Sequence, residues 1–262
     1  MATPKIHPQS IPDGKALGAN YSIEGNLIPT LHLKLDGTVP YMFEHHIFLW
    51  KQPQVQIQMA KIAGGFKRLI AGLPIFMTYA EGNGDIAFSR DHPGQIIPID
   101  LAPGQSILVR EHTFLAVSGN VNYTFERVRG IGSMLFGSQG FFVDRFEGGQ
   151  GGSTLWLHAA GNAFDIELAA GESIDVEPGA WVYREESVRY EQQVFGLKAG
   201  LLGGGGNFVF NRLTGPGRVG LQSAYFSGEG TAAAGAVAGG AAGGVGGMAL
   251  GGLLGGLLGG NN

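Results

Sequence analysis

Apolar and polar residues alternate one by one over long stretches between residues 21 and 226. In the stretch 97–101, Ile97, Ile99 and Leu101 alternate with Pro98 and Asp100, and the stretches 121–125, 164–168 and 190–195 show the same period of two. This period is typical of a β-strand that turns one face to a core and the other to water. We therefore predict that β-strands dominate the chain.

Turn-forming dipeptides separate these stretches. Glycine follows Asp36, Pro103, Glu147 and Pro178, and such turn signals recur at intervals of roughly 8–12 residues. This spacing is typical of sandwiches and barrels, whose short strands are joined by tight turns. The pattern predicts an all-β sandwich as the fold class.

The strand pattern itself recurs about every 67 residues. Residues 94–119 and 161–186 match at positions 67 apart, and a weaker copy covers residues 31–50, where Gly37 precedes Gly104 by 67. A second stretch recurs in step at 74–89, 141–157 and 207–223. A fixed period longer than one supersecondary unit indicates repeated architecture. We therefore predict three internal repeats. The residues that match between the second and third repeats are core aliphatics, turn glycines and one serine: Gly94, Ile99, Leu101, Gly104, Ser106, Ile107 and Val109, followed by Gly161, Ile166, Leu168, Gly171, Ser173, Ile174 and Val176.

A third recurring element joins the two strand blocks of each repeat. It covers residues 61–74, 127–140 and 194–207 and is rich in glycine and apolar residues, with no acidic residue. One interpretation is a buried connection across an end of the sandwich. The other is a set of apolar loops that contact a partner protein, a membrane surface or, as we favour within this alternative, another subunit. The candidate contact residues are Phe66, Leu69, Ile70, Met134, Leu135, Phe136, Leu201 and Leu202.

The two ends of the chain differ from this body. Residues 1–20 contain Pro4, Pro8 and Pro12 and no period, so we expect a flexible N-terminal segment. Residues 21–226 form the triplicated β body. Residues 227–262 form a tail that is rich in glycine and alanine.

The tail carries glycine at every fourth position and has no charged residue from Thr231 onwards. Overlapping G-x-x-x-G motifs let helices approach closely in membranes, whereas each glycine costs a water-exposed helix about 1 kcal/mol relative to alanine. The tail is therefore interpreted either as a disordered segment or as a glycine zipper that associates with a membrane or with itself. The ladder consists of Gly235, Gly239, Gly243, Gly247, Gly251, Gly255 and Gly259.

Composition and charge exclude several classes of function. The net charge of −4 gives no basic surface for nucleic acid, so no nucleic-acid partner is expected. The chain has no cysteine, which excludes disulfides, thiolate metal sites and a cysteine nucleophile. The first residues resemble neither a secretory signal nor a transit peptide. We expect a cytoplasmic protein, with peripheral membrane contact as an alternative.

Two histidines are weak candidates for a metal site. His45 and His112 are 67 residues apart, and each follows a glutamate, Glu44 or Glu111. Histidine with carboxylate suits zinc or another divalent ion. However, the third repeat has Pro178-Gly179 at this place, and no local H-x-x-x-H motif supports the pair. No metal or other cofactor is therefore expected, and a metal-dependent enzyme stays an alternative.

Two arginines are candidate anion contacts. Arg145 and Arg212 are also 67 residues apart, each just before a turn. A guanidinium at a strand end can bind a carboxylate or phosphate through two hydrogen bonds. The alternative is a structural ion pair with a neighbouring acid such as Asp144 or Glu147.

The residues of the body resemble the altered-inheritance-of-mitochondria 24 family over roughly residues 21–226. The resemblance is carried by PGQIIPIDLAPGQSILVREHTFLA, LFGSQGFFVDRFEGGQGGSTLWL, IELAAGESIDVEPGAWVYREESVRYE and, most specifically, FNRLTGPGRVGLQS. It implies a β-sandwich like that of the tryptophan RNA-binding attenuator, in a pseudo-threefold array. It also implies a link, in mitochondrial members, to inner-membrane organisation and respiratory-complex assembly.

No catalytic residue emerges from the chain, because the recurring residues are core aliphatics and turn glycines rather than a convergent polar set. We therefore expect a non-enzymatic scaffold or assembly protein that forms homo-oligomers and contacts protein partners or a membrane surface. The alternative is a β module that binds a small ligand or a carbohydrate.

Overall fold

The computed structural model describes residues 3–61, 76–110, 112–119, 121–128, 141–195 and 208–224. Over these residues the chain is almost entirely β-strand, which confirms the all-β prediction. A short 3-10 turn covers His45–Ile47. The part of the chain that the structure describes contains no candidate transmembrane helix.

The strands follow one another at short intervals. Their bounds are β1 Lys5–Ile6, β2 Ile11–Ala16, β3 Ala19–Glu24, β4 Thr30–Asp36, β5 Tyr41–Phe43, β6 Phe48–Lys51, β7 Gln56–Lys61, β8 Phe76–Glu81, β9 Asn83–Ser89, β10 Gly94–Leu101, β11 Ser106–Arg110, β12 Phe114–Ser118, β13 Asn122–Val128, β14 Phe141–Glu147, β15 Ser153–Ala160, β16 Ala163–Leu168, β17 Ser173–Val176, β18 Trp181–Glu185, β19 Arg189–Phe195, β20 Phe208–Thr214 and β21 Gly217–Gln222.

These strands form four antiparallel sheets. Sheet I has the order β2-β3-β4-β9-β6, and sheet II the order β10-β15-β12-β5-β8-β7. Sheet III has the order β1-β16-β21-β18-β11-β14-β13, and sheet IV the order β17-β20-β19. Sheets II and III each combine strands that are distant in the sequence.

Strand pairing follows the same scheme in a first segment (residues 30–89), a second segment (residues 94–160) and a third segment (residues 163–222). The first strand of each segment pairs with the sixth, the second with the fifth, the third with the sixth, and the fourth with the fifth. These pairs are β4–β9, β5–β8, β6–β9 and β7–β8, then β10–β15, β11–β14, β12–β15 and β13–β14, then β16–β21, β17–β20, β18–β21 and β19–β20.

Consecutive segments share sheets. Strand β5 of the first segment pairs with β12 of the second, and β11 of the second pairs with β18 of the third. These two pairings are the first and second junctions. The first junction joins two half-sheets into sheet II, and the second joins two half-sheets into sheet III.

Three apolar cores lie between successive sheets. The first core joins Leu33 and Phe88 of sheet I to Trp156 of sheet II. The second core lies between sheets II and III and contains Leu157 and Val182 among others. The third core lies between sheets III and IV. Sheets II and III are therefore covered on both faces, whereas sheets I and IV each have one face without a core among the described residues.

Two equivalent turns are built in the same way. Gly104 and Gly171 have φ angles of +77° and +79°, which favour glycine. The Gly104 amide donates to the Gly148 carbonyl at 2.8 Å, and the Gly171 amide donates to the Gly215 carbonyl at 3.3 Å. The turn glycines that recur in the sequence therefore have the same structural role in the second and third segments.

Residues 3–20 contain strands where the sequence predicted a flexible segment. They include β1, β2 and the start of β3, and β2 and β3 form a hairpin that extends sheet I. The Tyr41 hydroxyl also donates to the Leu17 carbonyl, which ties this hairpin to the body. In addition, β1 pairs with β16 and β3 pairs with β4. These partners lie elsewhere in the chain, so the local composition of the N-terminal segment does not reveal them.

Candidate functional site

A shallow groove of about 250 Å³ lies on the outer face of sheet I. Side chains alternate across the strand β4, so that Leu31, Leu33 and Leu35 enter the first core. His32 and Lys34 consequently face the groove. Neighbouring strands complete the lining with Asn20 and Ser22 of β3, Asp85 of β9 and Trp50 of β6.

Two cross-strand rows organise the groove. In one row, Asn20 lies opposite Lys34, which lies opposite Asp85. In the next row, Ser22 lies opposite His32, and the ring of Trp50 lies 6.0 Å from the His32 ring at an angle of 51°. The groove thus combines an aromatic surface with amide, hydroxyl, ammonium and carboxylate groups.

This combination suits a small polar ligand with a flat face, such as a sugar ring. Trp50 is 45% exposed, so its indole can stack on a ligand. The polar row beside it can fix the orientation of that ligand through hydrogen bonds. Sequence reasoning missed these residues, although the alternation in LHLKLD already separates His32 and Lys34 from the three leucines.

Strand β6 is also an edge strand of sheet I, and β17 is an edge strand of sheet IV. On β6, Leu49 is exposed beside Trp50. On β17, the Asp175 carboxylate accepts two hydrogen bonds of 2.7 Å from Arg212. The Arg212 guanidinium holds the pKa of Asp175 below its usual value. Both strand edges are open among the described residues.

The two candidate anion-binding arginines are engaged in ion pairs. Arg212 binds Asp175, and Arg145 binds Glu147 at 2.9 Å and Glu186 at 3.1 Å. The Arg145 guanidinium lowers the pKa of Glu186. Both arginines therefore form ion pairs with acidic residues, which is the structural alternative. One partner acid, Glu186, comes from the adjacent third segment.

His45 and His112 lie at the corresponding ends of β5 and β11. His45 begins the short 3-10 turn, and His112 is exposed with a φ angle of +65°. The neighbouring carboxylate of Glu44 is bound by Arg90 at 2.7 Å and by His46 at 3.2 Å. Within the described part of the chain, no group of three or more side chains forms a metal site.

A buried polar cluster lies at the first junction. Arg90 is 7% exposed and donates to the Glu44 carboxylate and to the Phe114 carbonyl. His158 of β15 is 1% exposed, and its ring lies 4.4 Å from the His92 ring. Burial, helped by the charges of His92 and Arg90, lowers the pKa of His158 to about 3. This cluster ties the first segment to the second.

The candidate contact residues of the apolar loops lie outside the described residues, and so does the whole glycine ladder of the tail. The structure therefore places neither set. The two interpretations of each set stay open.

An all-β body of antiparallel sheets is the class of protein that the fold defines. The family model described as mitochondrial biogenesis AIM24 matches residues 21–224, and the chain belongs to this family. The resemblance seen in the sequence is thereby confirmed.

Two proteins from Streptococcus pyogenes are similar to the chain, one in sequence and one in fold. An uncharacterized protein of serotype M6 is 31% identical over 171 residues, which are 63% of this chain and 65% of that protein. The chain thus matches about 65% of the length of this curated relative. A crystal structure from a structural genomics consortium covers 78% of this chain and 93% of its own, with 23% identity and a TM-score of 0.62. This second likeness concerns the fold alone.

Proposed function

We propose that the chain is a non-enzymatic scaffold or assembly protein that works as a homo-oligomer. The observation that carries this proposal is the sharing of sheets between segments. Each junction pairs the second strand of one segment with the third strand of the next, at β5–β12 and β11–β18. The same kind of strand remains open at each end, on β6 and on β17, among the described residues. Open edges of this kind can recruit further strands.

In this proposal the three segments are copies of one unit, arranged in a pseudo-threefold array like the sandwich of the tryptophan RNA-binding attenuator. The identical pairing scheme of the three segments and the equivalent turns at Gly104 and Gly171 support this arrangement. The name of the family, mitochondrial biogenesis, suits a role in assembly. The recurring residues are core aliphatics and turn glycines rather than polar groups, and this favours a scaffold over an enzyme.

Sedimentation velocity of the purified full-length chain over a wide range of concentrations tests the scaffold proposal. We expect a defined species heavier than the 27.4 kDa of one chain. Proteins that purify with the native chain would identify its partners. A monomer at every concentration, with no partner, would remove the basis of the proposal.

We further propose a cytoplasmic protein that contacts membranes peripherally through its tail or its apolar loops. The uncharged residues 231–262, with their glycine ladder, support this part of the proposal. Liposome flotation of the full-length chain and of a chain truncated after Phe226 measures the contribution of the tail. We expect only the full-length chain to float. Absence of both chains from the lipid fraction would exclude membrane binding by the tail.

The groove on sheet I favours a second candidate function, the binding of a small ligand or carbohydrate. Its aromatic surface at Trp50 and its polar row at Asn20 and Asp85 support this candidate. A ligand at 100 times its dissociation constant would stabilise the fold by about 2.7 kcal/mol. A thermal-shift screen of glycans and metabolites should detect this gain, and the double variant Asn20→Ala/Asp85→Ala should lose it. Equal shifts in both proteins would argue against the groove.

A further inference from the structure

The two junctions between segments use the same register. At the first junction the pairs are Tyr41↔Ser118, Met42↔Val117 and Phe43↔Ala116, and at the second they are Ile107↔Glu185, Leu108↔Arg184 and Val109↔Tyr183. A flanking hydrogen bond recurs as well, since the Gly119 amide donates to Pro40 and the Glu186 amide donates to Ser106. The junction is therefore a repeated interface with a defined geometry.

Strand β6 carries the residues of such a junction, and no strand among the described residues pairs with its outer edge. Trp50 corresponds to Ala116 and Tyr183, because these three residues pair with Ala87, Trp156 and Gly220 on the equivalent strands β9, β15 and β21. Leu49 precedes Trp50 as Leu115 precedes Ala116 and as Val182 precedes Tyr183.

The burial of these residues depends on whether a preceding segment is present. Leu115 and Ala116 are fully buried in the first core, to which the first segment contributes most residues. Val182 and Tyr183 are likewise buried in the second core. In contrast, Leu49 is 50% exposed and Trp50 is 45% exposed. An apolar pair is thus exposed at the place where the other two segments bury it against their predecessor.

Strand β17 presents the matching edge at the other end of the chain. Its side chains Ile174 and Val176 lie in the third core. Ser106, the equivalent of Ser173, accepts a hydrogen bond across the second junction, and backbone groups alternate in direction along an antiparallel strand. The backbone N–H and C=O of Asp175 therefore point out of sheet IV, as those of Leu108 point towards β18.

We propose that β17 of one chain pairs with β6 of a second copy of this chain, in the register of the internal junctions. Asp175 then lies opposite Lys51, Val176 opposite Trp50 and Ile174 opposite Gln52. Leu49 and Trp50 become buried against the third core of the neighbouring chain. The contact is head-to-tail, so it generates a ring or a filament. This inference rests on the proposed oligomeric scaffold and names its interface.

Charge supports a second copy as the occupant of the edge. The residues that would face each other directly, Asp175 and Lys51, carry opposite charges, which stabilises a cross-strand pair.

Pro53 occupies the position at which Gly119 donates its amide at the first junction, because Gln52 precedes Pro53 as Ser118 precedes Gly119. The contact between chains therefore has one flanking hydrogen bond fewer than the internal junctions.

The absence of native cysteine allows a direct test of this register by disulfide formation. Val176 and Trp50 would form a non-hydrogen-bonded pair, in which Cα atoms lie about 4.5 Å apart, within the range of a disulfide. A full-length Trp50→Cys chain is mixed with a full-length Val176→Cys chain and oxidised. We expect a disulfide-linked dimer on a non-reducing gel, at least tenfold more abundant than from Trp50→Cys mixed with the exposed control Ser223→Cys.

Four results would overturn the proposed interface. Equal cross-linking in the test and control mixtures would show that the two strands do not meet in this register. An intrachain disulfide in the double variant Trp50→Cys/Val176→Cys would show that one chain closes on itself. An oligomer in sedimentation without the disulfide would refute the interface and leave the scaffold proposal standing. A monomer at every concentration, with no partner protein, would refute both.

Discussion

His158 is a histidine that its surroundings keep neutral. It lies on β15, a strand of sheet II that is buried on both faces. Burial is the main cause that lowers its pKa to about 3, the charges of His92 and Arg90 lower it further, and Asp91 acts in the opposite direction. The folded chain therefore leaves this imidazole unprotonated under conditions in which an exposed histidine binds a proton.

This difference predicts a pH-dependent stability. The unfolded chain binds a proton at His158 below a pH of about 6.5, whereas the folded chain binds one only below about 3, so stability is lost as the pH falls through this window. We expect a contribution of about 1.4 kcal/mol per pH unit to the free energy of unfolding. Urea unfolding at a series of pH values gives the free energy of unfolding as a function of pH. The slope of this free energy against pH should be larger in the wild type than in His158→Gln. His32→Gln, at the outer face, should keep the wild-type slope, and equal slopes in all three proteins would contradict this explanation.

At the scale of single residues, the sequence predicted the solvent-facing side of β4 but not the groove that it lines. The alternation of Leu31, His32 and Leu33 separates the faces of one strand. The groove also needs Trp50 of β6 and Asp85 of β9. These strands are brought next to each other by pairing, which a local pattern does not encode.

A buried ion pair lies beside the strands that join the first and second segments. Arg90 reaches from the turn after β9 to Glu44, which follows β5. The Glu44 amide in turn donates to the Leu115 carbonyl of the second segment. The ion pair therefore holds the end of β5 against β12.

Removal of this arginine should be costly. Arg90→Ala leaves Glu44 as a largely buried carboxylate without its strongest partner, which typically costs about 3–5 kcal/mol. Arg189→Ala is the matched control, because Arg189 is 69% exposed and pairs with an exposed Glu191. Such an exposed pair contributes about 0–1 kcal/mol. Chemical denaturation gives both values, and a similar small loss in both variants would exclude a structural role for Arg90.

Single strands could be predicted well where apolar and polar residues alternate along the strand, because one face is then apolar and the other polar. Ile97, Ile99 and Leu101 of β10 are buried, as their period of two predicts. Strand β15 shows no such period, because all residues from Ser153 to Ala160 are buried between two cores. A strand covered on both faces has no polar side, so its face cannot be assigned from the sequence.

At the scale of the whole molecule, the 67-residue period predicted recurring strands but not the way in which they join. The β5–β12 and β11–β18 junctions pair residues more than 70 positions apart. The repeat gives the equivalence of these strands, and only the three-dimensional pairing reveals that neighbouring segments share a sheet. Within the part of the chain that the structure describes, the open edges of β6 and β17 follow from this sharing.

Two proline variants can block the two edges separately. Asp175→Pro removes an outward N–H of β17, and Lys51→Pro removes the equivalent N–H of β6, while each leaves the hydrogen bonds inside its own sheet. Asp175→Ala and Lys51→Ala are the matched controls, which lose the charge but keep the N–H. We expect assembly of both alanine variants and none of either proline variant alone.

The mass of a mixture of the two proline variants tests the head-to-tail scaffold most directly. Lys51→Pro retains an intact β17 and Asp175→Pro retains an intact β6, so one interface can form between them and no further chain can join. Light scattering of the equimolar mixture should give a dimer of twice 27.4 kDa, with monomers in the separate samples. A mixture that stays monomeric while the wild type assembles, or a proline variant that assembles alone, would contradict the account.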